Sequence, residues 1–298
     1  RFGCRRRSRS WSTAVGKRMD FRKFAQLVMI EQTLFALPFA LIGVLFAGGG
    51  TPMTWFWVIV ALAAARTAGM AFNRVIDADI DARNPRTRDR LVPSGAVAPW
   101  KVWLIAIGAS GVLIGAAFML NSLCFYLSFV AVLLLFSYSF FKRFSASAHF
   151  YLGLVEAAAP IGGYLAVTGE FALTPFVLGF IIMAWIAGLD IVYALQDQAF
   201  DRQAGLHSIP ARLGRENALK MSAACYGAAM AAMVLAGLLA GMQAGYWLAI
   251  FLIGLIFIGQ QNLARRANVA RGIALFFKIN LYISPLLFVG TFVDVLLF

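Results

Sequence analysis

Two short stretches carry acidic side chains at helical spacing. The first reads Asn73-Arg-Val-Ile-Asp77-Ala-Asp79-Ile-Asp81, and the second Asp190-Ile-Val-Tyr-Ala-Leu-Gln-Asp197-Gln-Ala-Phe-Asp201. The chain holds only 13 Asp and Glu in 298 residues, yet both stretches sit at the ends of long apolar runs. A carboxylate placed there is costly unless it is paired, solvated or bound to a cation. Residues i and i+4 share one face of a helix. Asn73, Asp77 and Asp81 therefore form one stripe, with Arg66 and Met70 above it, and Asp79 points away into water. Asp190, Asp197 and Asp201 form a second stripe. Two facing stripes of oxygen ligands suit a hard cation such as Mg²⁺, which takes a few carboxylates, water and phosphate oxygens. Neither stretch contains Cys or His, which argues against zinc or a soft metal. The plainer alternative is that these acids are helix-end charges in water, paired with nearby Arg. Two matched clusters weigh against it, as does the helix dipole, which disfavours acids at a C-terminal end.

Between the clusters lies Tyr138-Ser-Phe-Phe-Lys142-Arg143. Taken alone, Lys142-Arg143 is a charge anchor at a membrane edge. Beside a metal–phosphate site, Lys142 supplies a point charge and Arg143 a fork for phosphate oxygens. Tyr138 offers a hydroxyl to a phosphate, or a ring face to a nearby cation.

The elements that position these residues are long and apolar. Residues 32–65, 102–141 and 221–264 contain no Asp, Glu, Lys or Arg, and the chain is 61% hydrophobic. Each run exceeds the roughly 20 residues that cross a bilayer. The fold class is an all-α polytopic membrane protein, since a β-barrel would alternate in polarity. The pattern predicts nine spans, near 25–47, 52–76, 99–119, 122–141, 147–167, 173–196, 216–240, 244–263 and 273–297. Connections alternate between short ones without Lys or Arg and longer basic ones, the latter holding Arg83, Arg86, Arg88, Arg90, Lys101, Lys142, Arg143, Arg202, Arg212, Arg215, Lys220, Arg265, Arg266 and Arg271. The basic side is expected to be cytoplasmic. It carries the N-terminus and both acidic clusters, and nine spans leave the C-terminus outside. The acidic pairs stand 120 residues apart, each followed by an Arg-containing loop. That spacing suggests two four-helix repeats plus one helix around a central cavity, an organisation that transporters also use.

The net charge of +13 suggests nucleic acid at first sight. The basic residues lie in short clusters between spans, so the expected partner is the lipid bilayer and not nucleic acid. Cys4, Cys124 and Cys225 show no metal-ligand spacing, and nothing implies a disulfide framework. Residues 1–18 are Arg- and Ser-rich. They read either as a flexible arm on anionic headgroups or, preferably, as an extension upstream of Met19, with residues 19–298 as the membrane domain.

The stretches 72–86, 138–143 and 190–214 resemble the signature regions of the UbiA superfamily of intramembrane polyprenyltransferases. Asn73 to Asp81 is similar to that family's Asn-Asp-x-x-Asp-x-x-x-Asp motif, with Arg74 in place of its second residue. Asp197-Gln-Ala-Phe-Asp201 resembles its Asp-x-x-x-Asp motif, and Tyr138 to Lys142 its Tyr-x-x-x-Lys loop. The resemblance implies nine transmembrane helices around a cavity, and a polyprenyl diphosphate bound through Mg²⁺. It implies transfer of the prenyl chain to an acceptor, with release of diphosphate. By that resemblance Asn73, Asp77, Asp81, Asp197 and Asp201 are metal–diphosphate residues, and Tyr138, Lys142 and Arg143 assist ionisation. Asp190 faces the acceptor or a water bridging to it, and Arg66 holds an acceptor carboxylate unless it pairs with a neighbouring Asp. Phe35-Ala-Leu-Pro-Phe39, Tyr193-Ala-Leu-Gln-Asp197 and Leu206-His-Ser-Ile-Pro-Ala-Arg212 resemble the bacterial branch that prenylates 4-hydroxybenzoate for ubiquinone. The neighbouring branch, which prenylates a dihydroxynaphthoate for menaquinone, is similar too. Both imply an aromatic acceptor and a site at the cell inner membrane. The rival class is a cation-coupled secondary transporter. Of the remaining candidates, His207 reads as a residue of a loop over the site and His149 as an interfacial residue. Pro160-Ile-Gly-Gly163 reads as a kink or close helix contact, and Asn280 as a partner for another helix.

Overall fold

A computed structural model describes residues 20–266, 275–276 and 278–297, with side chains for these except residues 30–35 and 266. The basic segment 1–18, the Phe35 side chain, Arg271 and the start of the ninth span lie outside the described residues. All described elements are helical: α1 (Phe21–Val28), α2 (Ile30–Phe46), α3 (Pro52–Ile76), α4 (Ala78–Arg83), α5 (Pro99–Leu120), α6 (Ser122–Phe141), α7 (Ala148–Thr168), α8 (Leu173–Ala194), α9 (Gln198–Ala204), α10 (Ile209–Leu239), α11 (Ala244–Arg266) and α12 (Ile283–Leu297). Eight helices are long and apolar enough to cross a membrane, and Ala36–Phe46 is a shorter apolar helix. The protein is a multi-pass α-helical membrane protein. Its outer faces carry side chains such as Phe118, Tyr126, Phe129, Leu133, Phe251 and Ile258, all exposed, as lipid-facing surfaces do.

The first expected span divides in two. Met29 adopts φ 50°, ψ 63°, so α1 ends there and α2 starts in a new direction. α1 is strongly amphipathic, buries Leu27 and Val28, and is capped by the Asp20 carboxylate on the Lys23 N–H at 2.8 Å. The seventh span also begins earlier than its apolar pattern. α10 opens at Ile209 and is interrupted at Gly214, whose φ of 79° suits a residue without a Cβ. The apolar stretch follows that break.

Backbones approach closely where α2, α7 and α8 meet. A Cβ on Gly43 would lie 2.1 Å from the Pro160 carbonyl oxygen, and one on Gly163 would lie 2.0 Å from that of Ala40. A Cβ on Gly153 would lie 2.3 Å from the Met183 oxygen. Small residues at such crossings let membrane helices pack by van der Waals contact. The expected close contact at 160–163 is present, carried by Gly163, while Gly162 faces open space. Near the end of α2 the buried Asp294 of α12 accepts the N–H groups of Gln243, Gly245 and Tyr246 at 2.7, 2.8 and 3.1 Å. It thereby caps α11 from a different helix. Asn280 accepts the indole N–H of Trp185 at 3.1 Å, joining the last helical segment to α8.

The two acidic stretches fold alike. α3 stops at Ile76, Asp77 takes φ −89°, ψ 3°, and the six-residue α4 restarts the helix. α8 stops at Ala194, Asp197 takes φ −102°, ψ 3°, and the seven-residue α9 follows. In each case the second acid donates its N–H to the first acid's carbonyl at 2.8 Å (Asp81 to Asp77, Asp201 to Asp197). The expected stripes therefore do not run along continuous helices. The first is interrupted at Asp77 and the second over Leu195–Asp197, while Asn73 and Asp77 still bond side chain to side chain on one face. The matched breaks are backbone evidence for the two repeats.

Candidate active site

One cavity of about 670 Å³ runs from these breaks into the bundle. Asp77, Asp81, Asp197, Asp201, Asn73, Tyr138, Lys142, Arg66 and Asp190 all line it. Its wall away from the acids is apolar, with Leu113, Leu120, Leu127, Leu134 and Ile161 among the lining residues.

Asp77 is 1% exposed. Its Oδ2 receives Lys142 Nζ at 2.7 Å and Asn73 Nδ2 at 2.8 Å. Its Oδ1 is buried without a hydrogen bond, with Arg143 Nη2 at 3.5 Å as an ion-pair partner. Arg143 also donates to the Ile76 carbonyl at 2.6 Å, satisfying an end of α3. Asp81 is held by Arg90 Nη1, at 2.9 Å from Oδ1 and 2.8 Å from Oδ2. Across the mouth, Asp197 receives Arg86 Nε at 2.9 Å, Arg86 Nη2 at 2.5 Å and Asn84 Nδ2 at 2.9 Å. Arg86 lies over the Tyr193 ring, 5.0 Å from its centroid, and donates to that hydroxyl at 2.8 Å. The loop after α4 thus bonds directly to the acid of the second repeat. Asp201 accepts only a neutral donor among its hydrogen bonds in the structure, Ser208 Oγ at 2.7 Å.

These surroundings separate Asp197 from Asp201. Burial penalises the Asp197 charge, but the hydrogen bonds from Arg86 and Asn84 and the fields of Arg86 and Arg90 outweigh it. They hold the carboxyl below its ordinary range. Burial also disfavours ionised Asp201, and the neighbouring Asp197 charge adds to it, so that carboxyl is pushed up despite Ser208. Arg86 is driven further into its charged form, because its bonds to Asp197 and Tyr193 outweigh its own burial.

Among the described residues no three His, Cys or acidic side chains form a metal-binding group. The four motif acids share the mouth, each already engaged by a donor. The donor set is nonetheless all oxygen, and Asp77 keeps a buried oxygen without a hydrogen bond. Those features fit a hard cation better than a soft one.

Two other acids sit further from the mouth. Asp190 Oδ2 receives His149 Nδ1 at 2.7 Å, and the Ile209 N–H donates to His149 Nε2 at 3.2 Å. The Ile209 bond requires an unprotonated Nε2, so neutral His149 carries its proton on Nδ1 and gives it to Asp190. His149 is 4% exposed, which corrects its reading as an interfacial residue. Its two bonds replace what water would supply. His207 is exposed in the α9–α10 turn, where its backbone N–H donates to the Lys142 carbonyl at 2.8 Å. Gly205 closes α9 at φ 68° and allows that turn. Arg66 is ion-paired with Glu156 of α7. The alternative of a neighbouring Asp is thereby replaced by a Glu on another helix, which the sequence pattern did not single out. The missed signal was its isolation within a span otherwise lacking charge. Tyr138 Oη makes a 3.4 Å contact to the Gly69 carbonyl. Arg74 is buried, directs Nη2 to Met29 Sδ at 3.1 Å, and stands off the acids.

Residues 36–282 match the model of the UbiA prenyltransferase family. The chain belongs to that family. It is 31% identical over 230 residues to a 4-hydroxybenzoate octaprenyltransferase of Cupriavidus necator, covering 75% of this chain and 80% of the relative. The enzyme of that name from Cupriavidus metallidurans is 29% identical over 294 residues, covering 96% of this chain and 98% of its own. The fold of the apo UbiA homolog from Aeropyrum pernix K1 superposes with a TM-score of 0.83 at 32% identity, covering 89% of this chain and 98% of that one. A UbiA homolog from Archaeoglobus fulgidus, solved bound to GPP and Mg²⁺, has the same fold at a TM-score of 0.67 and 18% identity, covering 92% of this chain and all of its own. This UbiA-family chain is a prenyltransferase, as the three sequence motifs implied.

Proposed function

We propose that the protein transfers a polyprenyl chain from polyprenyl diphosphate to a carbon of an aromatic acceptor, releasing diphosphate. The acceptor of first choice is 4-hydroxybenzoate, the substrate in the names of the Cupriavidus relatives, in the pathway to ubiquinone. A dihydroxynaphthoate acceptor for menaquinone is the second choice. The observation that supports this reading is the pairing of opposites in one cavity. Two acid motifs and Lys142 stand at its mouth, and an apolar chamber lies behind them.

Asp77, Asp81, Asp197 and Asp201 would hold Mg²⁺, starting from the buried Asp77 Oδ1. Bound there, the metal neutralises diphosphate charge and improves it as a leaving group. The chain's own groups do the rest. Arg86 and Arg90 now engage Asp197 and Asp81. Both guanidinium forks stand at the mouth, where they would also suit phosphate oxygens. Lys142 and Arg143 add positive charge where the negative charge of the leaving group develops. Asn73 orients Asp77 through Nδ2. The apolar wall takes the prenyl tail and keeps water from the allylic cation. Tyr138 lines the passage between mouth and chamber, where its ring face can meet that cation. Asp190, held by His149, and Arg66 face the acceptor. The basic loops place the mouth on the cytoplasmic side of the inner membrane, with the N-terminus there and the C-terminus outside.

Purified protein given polyprenyl diphosphate and a mixture of hydroxybenzoate and dihydroxynaphthoate should form one prenylated product, identified by mass spectrometry. Its formation should stop when divalent metal is chelated. Asp77→Ala and Asp197→Ala should each lower transfer by at least about 10²-fold. Undiminished transfer in both variants would remove the acid motifs from the chemistry. A cation-coupled carrier would form no product at all.

A further inference from the structure

Away from the mouth, the cavity wall carries the Arg66–Glu156 ion pair. Arg66 on α3 lies eleven residues before Asp77, about 16 Å along the helix axis. Its partner Glu156 on α7 lies seven residues after His149, on the same face and about 10 Å deeper. Both line the cavity, and both side chains are largely buried, at 15% and 18% exposure. A buried ion pair is weak evidence for a stability role, since well-packed apolar residues would serve as well. Ionisable groups kept inside a membrane more often serve a site. The other basic residues lining the cavity, Arg74, Arg86, Arg90 and Lys142, are on or next to the motif segments. Arg66 is the cation placed to meet an anionic group at the far end of an acceptor ring. Glu156 holds it in the empty cavity.

We propose that Glu156 is a specificity-determining residue. It occupies Arg66 as an internal stand-in for the acceptor's carboxylate, and exchanges with that carboxylate when the acceptor binds. This rests on the reading of Arg66 as an acceptor-facing residue. An acceptor bearing a carboxylate binds only the fraction of protein in which Arg66 has left Glu156. Its apparent affinity is reduced by that fraction. If the pair is favoured ten- to a hundredfold, the reduction is about ten- to a hundredfold. An acceptor of the same shape without the charge makes no such exchange. The pair thereby sets how strongly the enzyme prefers acids to neutral phenols.

The test is direct binding of 4-hydroxybenzoate and of its uncharged methyl ester to purified protein, by calorimetry, with Mg²⁺ and a non-hydrolysable prenyl thiolodiphosphate present. Glu156→Gln should tighten binding of the acid by about tenfold or more while leaving the ester within about twofold. Donor affinity should not move. Glu156→Asp keeps the charge on a shorter arm and should shift the acid-to-ester ratio in the same direction by a smaller factor. It also serves if the Gln variant fails to fold. An unchanged ratio in the folded variants, or equal weakening of both ligands, overturns the proposal. Turnover, measured separately on wild-type protein, decides the functional reading, so failure of the one is distinct from failure of the other.

Discussion

Lys142 is the group whose removal should be felt most sharply at the mouth. Its Nζ lies 2.7 Å from Asp77 Oδ2, and Asp77 is 1% exposed. Breaking a buried ion pair from one side costs about 3–5 kcal/mol, because the remaining charge loses its compensation. Two features reduce that figure here. The Lys142 side chain is 34% exposed, so water screens the pair, and Arg143 remains 3.5 Å from Asp77 Oδ1. Lys142→Met should therefore destabilise metal-free protein by about 2 kcal/mol. That corresponds to a fall in Tm of about 4–8 °C on the scaling for large domains. Asp77→Asn leaves Lys142 able to reach water and should cost about 1 kcal/mol or less. The double variant should cost less than the sum, with a coupling of about 1–2 kcal/mol. Thermal unfolding of chelated protein in detergent measures all three. Adding Mg²⁺ and pyrophosphate should raise Tm more in Lys142→Met than in wild type, because the metal supplies the charge that Asp77 has lost. Additive costs, or equal gains on adding metal, would refute the argument that Lys142 compensates a buried charge where metal binds.

Two further outcomes follow from the same geometry. Gly163→Ala drives a methyl group to 2.0 Å from the Ala40 carbonyl oxygen, so α2 and α7 must separate. The expected cost is about 1–3 kcal/mol in thermal unfolding, with no change in donor KM if the mouth is undisturbed. Asp197 and Asp201 should shape the acid stability of metal-free protein in opposite senses. The folded-state pKa of Asp197 lies below the ordinary 3.8, so its contribution is present above that value and lost as pH falls through the lower folded value. The pKa of Asp201 is raised from 3.8, so its contribution favours the folded state at acid pH and is lost as pH rises through the raised value. Asp197→Asn should weaken the chelated protein at pH 7 and Asp201→Asn should strengthen it, as read by denaturant titration at pH 7 and below 4.

The contrast between those two acids shows what the sequence carried and what it withheld. Membrane spans were legible because a bilayer admits few structures, and charge-free runs longer than 30 residues leave little choice. The motif acids were legible because charge is scarce in such a chain, so each Asp stands out. The interruptions within their helical stripes were not legible. Periodicity assumes a continuous helix, and the helices are interrupted at Asp77 and over Leu195–Asp197, where the local sequence has neither Gly nor Pro to announce it. The break also lets the loop after α4 reach across to the second repeat. Asn84 and Arg86 bond to Asp197, 113 and 111 residues away. No local pattern encodes a contact of that separation. His149 and Glu156 were underread for a related reason. A single polar residue in an apolar helix has no motif, and its meaning comes from the helix opposite it. Here α7 is brought against α8 and α2 at Gly153 and Gly163, and that close approach places His149 against Asp190. The small residues that looked like packing details are therefore part of how the cavity wall around Asp190 is built. Enlarging them should disturb Asp190 and Arg66 before it disturbs the motif acids, which are held from the other side by Lys142, Arg86 and Arg90.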